Sequence, residues 1–109
     1  MTYKEVADLL ITTGLPVTYL MWPETEAPAL PYICYYYPNS NDEPADNINW
    51  AHITALNVEL YTKDKDFTTE AQVESVLTAS GFFFAKSESY LDDEHMYEVL
   101  YEMEVCIHG

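Results

Sequence analysis

Residues 96–108 read MYEVLYEMEVCIH, and their alternation decides the fold. The odd positions Tyr97, Val99, Tyr101, Met103, Val105 and Ile107 are apolar or aromatic. The even positions carry Glu98, Glu102 and Glu104, with Leu100 among them. A strand turns successive side chains to opposite faces, so this segment predicts a long strand with one face on a core and the other wet. Just before it, LDDEH (91–95) reads as a charged turn and FFFAKSESY (82–90) as the preceding strand.

Working upstream, KDKDFTTEAQVESVLTASG (63–81) turns through charge into a helix. Asp66 or Thr68 is the expected N-cap, and Glu70 and Glu74 follow where the helix dipole favours anions. Val73, Val76 and Leu77 form its apolar stripe, and Gly81 closes it. The segment from about Ala51 to Lys63 alternates again, with Leu56, Val58 and Leu60 to one side and Asn57, Glu59 and Tyr61 to the other. Before that, PYICYYYPNSNDEPADN (31–47) runs from an aromatic strand, Tyr32–Tyr37, into a loop expected from Pro38 to about Asn49. So long a connection is expected to be functional or mobile. VTYLMW (17–22) reads as the first strand, and Pro23, Pro28 and Pro31 keep the next segment out of a sheet interior. At the start, Thr2 and Glu5 have capping-box spacing, Val6, Leu9, Leu10 and Thr13 recur with helical period, and Gly14 and Pro16 end the helix. Helix, three strands, helix, two strands predicts an α+β, two-layer domain. About five mostly antiparallel strands carry two helices on one face, and residues 1–109 form a single domain.

The charge balance limits partners. Nineteen Asp and Glu face four Lys and no Arg, for a formal net charge of −15. Nucleic-acid binding needs cations to neutralise phosphates, and Arg is the preferred side chain for phosphate and guanine contacts. Sequence-specific nucleic-acid binding is therefore not expected. With 49% apolar residues the chain is no disordered acidic tail. Its N-terminus has no basic signal-peptide region, and no apolar run is long enough for a membrane span.

No stretch carries a recognised catalytic pattern. The three glycines, at 14, 81 and 109, end elements or the chain, so no Gly-rich phosphate loop exists. No C-x-x-C, H-x-H or H-E-x-x-H spacing signals a metal. Cys34 and Cys106 lie in apolar strands and read as buried free thiols of a reducing compartment. Pairing of Cys106 with His52 or His95 as a nucleophile and base has no surrounding signature. Asp42, Glu43 and Asp46 lack EF-hand spacing and its closing Glu. No catalytic, cofactor or metal residue is assigned, and the chain is not expected to be an enzyme.

Three segments carry a resemblance: the aromatic strand entering the Asn/Asp loop at 31–47, ITALNVELYTKDKDFTTEAQVESVL (53–77), and GFFFAKSESYLDDEHMYEVLYEMEV (81–105). In character and order they resemble the small tail terminator, or head-to-tail joining, proteins of long-tailed phages and prophages of Gram-positive bacteria. The resemblance spans about residues 1–108. It implies a structural virion protein, made in the bacterial cytoplasm and placed at the head–tail junction. There it forms a hexameric ring that caps the tail tube and stops its polymerisation. Its implied partners are further copies of the chain, the major tail tube protein and the head connector or stopper, with DNA passing through the lumen. On this reading Asn39, Asn41, Asp42, Glu43, Asp46 and Asn47 are expected at an interface, and Glu98, Glu102 and Glu104 are candidate lumen-facing acids. The same composition fits a second class, a monomeric acidic DNA mimic that inhibits a nucleic-acid-binding protein.

Overall fold

The two longest strands form the centre of the sheet. In the computed structural model, which describes residues 1–23, 25–38 and 52–108, β3 (His52–Thr62) pairs antiparallel with β5 (Met96–Ile107) along its whole length. The register runs from His52 opposite Ile107 to Thr62 opposite Tyr97. Outside β5 lies β4 (Ala85–Leu91), also antiparallel. On the other side β3 pairs antiparallel with β2 (Tyr32–Tyr36), and β2 pairs parallel with the short β1 (Val17–Tyr19). The sheet order is β1-β2-β3-β5-β4. With helices α1 (Tyr3–Ile11) and α2 (Phe67–Ala79), this is the expected α+β order, mostly antiparallel.

One sheet face and both helices share the core. Ile33, Leu56, Val58, Leu60, Val99, Tyr101, Val105 and Ile107 meet Val6 and Leu10 of α1 and Val73 and Leu77 of α2. In β5 the buried positions are the odd ones from Val99 to Ile107, so the alternation holds. Leu9 and Val76 lie at the margins of their helical stripes and are only half-buried. The Thr2–Glu5 capping box is formed in full: Thr2 Oγ1 accepts from the Glu5 N–H at 3.1 Å, and Glu5 Oε1 accepts from the Thr2 N–H at 2.7 Å. Of the two candidate caps for the second helix, Asp66 serves, accepting from the Thr69 N–H at 3.0 Å. The helices are tied by the Gln72 side-chain amide, which donates to the Thr13 carbonyl.

Two strands are shorter than their sequence predicts. The first stops at Tyr19 because Leu20 adopts φ 70°, a left-handed turn that sends Met21 and Trp22 out of the sheet. Trp22 then packs on Tyr32, ring centres 5.9 Å apart. The fourth begins at Ala85, not Phe82. Phe82 and Phe84 are half-buried against the core, Phe84 edge-on to Tyr101 at 5.1 Å. Phe83 points away and is 94% exposed. This segment alternates like a strand without joining the ladder, leaving a shallow hollow of about 450 Å³ beside Glu102–Glu104.

Candidate interaction surfaces

Three surfaces concentrate chemistry. The first is the sheet face turned away from the helices. Strand registry places Cys34 of β2, Glu59 and Tyr61 of β3, and Glu98, Leu100, Glu102 and Glu104 of β5 on it together. The three candidate acids therefore do share a face; Glu102 and Glu104 are exposed and Glu98 is half-buried. The Tyr61 hydroxyl lies 2.9 Å from Glu59 Oε1 and 3.2 Å from Glu98 Oε2. A phenol has one proton to donate, so both carboxylates cannot be satisfied by it while both are ionised. Burial, then hydrogen bonding and repulsion from Glu98, push the Glu59 carboxyl up to about 7, and the pair holds a proton near neutrality. Burial, reinforced by both glutamates, pushes the Cys34 thiol up to about 11, so it stays protonated. Ser89 of β4 reaches Glu98 Oε1 at 3.4 Å.

The second surface joins α2 to β4. Glu70 is only 2% exposed, and Lys65 and Lys86 meet its two oxygens at 2.7 and 2.9 Å. Burial disfavours its charge, but the two ammonium groups outweigh that and hold its pKa below the ordinary glutamate range. Lys86 also pairs with Glu74 at 2.7 Å, and Lys65 with Glu88. The Tyr101 hydroxyl, from inside the core, donates to Glu74 Oε2 at 2.8 Å. The sequence gives Glu70 and Glu74 as helix-dipole acids. Their lysine partners come from a turn and a strand that only the tertiary fold brings near.

The third surface lies at the β1 edge, where four tyrosines pack ring on ring. Tyr3 meets Tyr37 at 5.0 Å and Tyr19 meets Tyr35 at 5.2 Å, both edge-on. Tyr19 stacks on Tyr37 at 6.0 Å, and its hydroxyl accepts from the Tyr37 backbone N–H at 3.2 Å. Burial drives the hydroxyl pKa of both Tyr35 and Tyr37 upward, so neither carries charge.

Asn39, Asn41, Asp42, Glu43, Asp46 and Asn47 lie outside the described residues. The imidazole recorded at Cys106 is that of His108, its Nε2 3.6 Å from the sulfur. His52 precedes Ile53, the cross-strand partner of Cys106, and so turns to the other face, towards Tyr3. His95 sits in the turn at the opposite end of β5. Among the described residues no three His, Cys, Asp or Glu side chains are grouped to hold a metal ion, and no helix is long and apolar enough to cross a membrane. No protein-family model matches this chain, and no curated protein does.

Proposed function

We propose that this chain is a structural virion protein that forms a ring at the end of a phage tail tube, stops tube growth and joins the tail to the head. The observation that carries this reading is the sheet face turned away from the helices, on which Glu98, Glu102 and Glu104 stand in line in a chain of net charge −15 without Arg. Turned towards a lumen, that face repels duplex DNA and lets it slide instead of holding it by phosphate contacts. The outer edge of β4, at the far side of the sheet from β1, is a surface on which a neighbouring copy can add in this reading. Residues 39–47 supply subunit or connector contacts in this reading.

The test adds purified protein to polymerising tail tube subunits and follows tube length by electron microscopy. The expected result is capped tubes of arrested length with a ring at one end. Tubes of unchanged length, together with a monomer that releases duplex DNA from a nucleic-acid-binding enzyme, would instead establish the DNA-mimic reading.

A further inference from the structure

At the β1 edge, the rings of Tyr3, Tyr19, Tyr35 and Tyr37 line a shallow hollow of about 380 Å³. We propose that this hollow is a docking site for a cationic side chain, arginine foremost, presented by a basic segment of a partner protein. The inference does not depend on the tail-joining reading, since it follows from ring chemistry and charge.

Aromatic faces carry the negative side of a quadrupole and attract a cation held within about 6 Å of the ring centre. The molecule uses this attraction internally, where Lys65 Nζ lies 4.8 Å from the centre of the Phe67 ring. Among the described residues no lysine lines the hollow, and the imidazole recorded beside it is that of His52, 3.5 Å from the Tyr3 hydroxyl. Of the four lysines, Lys4, Lys65 and Lys86 are committed to ion pairs with Asp8, Glu70, Glu74 and Glu88. Net charge of −15 draws a basic partner and repels a phosphate or an acidic one.

Tyr37 is 8% exposed and its hydroxyl oxygen is closed to solvent, so the hollow is offered by the aromatic rings and not by that hydroxyl. Arginine suits the place better than lysine because its planar head stacks on aromatic rings and is weakly hydrated. The rings are already fixed against one another, and the Tyr19 hydroxyl is held by the Tyr37 N–H, so docking orders little. A second copy of this chain is the poorer occupant. It brings fifteen further negative charges, and its exposed Phe83 offers area without a counter-charge.

The experiment titrates the full chain with Nα-acetyl-arginine amide and, separately, with its neutral isostere Nα-acetyl-citrulline amide. Tyrosine ring carbon–proton signals are followed at low and raised salt. The expected result is that signals of Tyr3, Tyr19, Tyr35 and Tyr37 move together with the arginine compound, less at raised salt, and that the citrulline compound binds at least about fivefold more weakly. The double substitution Tyr3→Leu with Tyr19→Leu leaves net charge unchanged and should weaken the arginine compound by a similar factor. Equal response to citrulline, no response at the four rings, or shifts spread over remote signals and undiminished by the double substitution would overturn the proposal. So would hollow signals that move with protein concentration alone and stop moving in Phe83→Ala, which would make a second copy the occupant. Should the double variant fail to fold, the comparison of arginine with citrulline on the unaltered chain still decides.

Discussion

Glu59 and Glu70 are both glutamates withdrawn from water, yet they respond to pH in opposite directions. Glu59 keeps its proton in the native state up to about 7, whereas an unfolded glutamate releases it near about 4.3. Between those values the native state binds more protons, so its contribution to stability is full below the lower value and is lost as pH rises through the upper one. Thermal melts should therefore show a falling contribution from about pH 4.3 to about 7. Glu59→Gln should flatten that slope and raise the melting temperature at pH 8, where the parent carries two repelling carboxylates. An unchanged slope would remove the shared proton. Glu70 has the reverse sign: its pKa is lowered, so its contribution is present above the unfolded value and is lost as pH falls through the folded one. Replacing both partners, Lys65→Met with Lys86→Met, strands a buried carboxylate and should cost about 3–5 kcal/mol in denaturant unfolding. Glu70→Gln should cost less, because the lysines it releases are partly in water. Neither arrangement was legible in the sequence. Lys86 reaches Glu70 from a strand to a helix and Glu98 reaches Tyr61 across strands, and no local spacing encodes such meetings.

At the scale of elements, β5 is the part most fully written in the chain. Its alternation sets register, core and wet face together, because a one-residue slip would send every apolar side chain to the wrong side. Val99→Asp or Val105→Asp should consequently unfold the domain. A buried, unpaired carboxylate costs several kcal/mol, against a total stability of about 5–15 kcal/mol. Glu102→Gln, on the exposed face, should leave the melting temperature where it was. A melt of Val99→Asp equal to the parent would show the register to be wrong. Helix ends were equally readable, since Thr2, Glu5 and Asp66 act through hydrogen bonds within one turn. Strand ends were not. Whether Phe82–Phe84 joins the ladder depends on how its rings settle against Tyr101, and where β1 ends depends on the left-handed turn at Leu20. Both are decided by packing that sequence pattern does not record. The tyrosine hollow was hidden for the same reason, as its four rings come from three separate elements and a strand end.

For the whole molecule, charge governs association, and salt separates the two kinds of contact proposed. Copies that each carry −15 repel one another over a screening length of about 8 Å at physiological ionic strength. For the proposed ring to close, apolar contacts between copies have to overcome that repulsion. Raised salt shortens the screening length and strengthens apolar burial when the anion is sulfate. Sedimentation of the purified chain should therefore show larger species as sulfate rises. Arginine docking at the tyrosine hollow should weaken over the same range, because screening there removes an attraction. The sheet face turned away from the helices gives the matching functional test: Glu98→Lys, Glu102→Lys and Glu104→Lys together change its charge from repulsive to attractive for DNA. Glu102 and Glu104 are exposed, and Glu98 is half-buried beside Tyr61, so the double variant at 102 and 104 guards against misfolding of the triple. On the proposed reading, either variant in assembled particles should slow DNA ejection through new phosphate contacts. Normal ejection from particles shown to contain the variant would place these glutamates outside the lumen. Ring assembly that weakens with salt would show that ion pairs, not apolar contacts, hold the copies together.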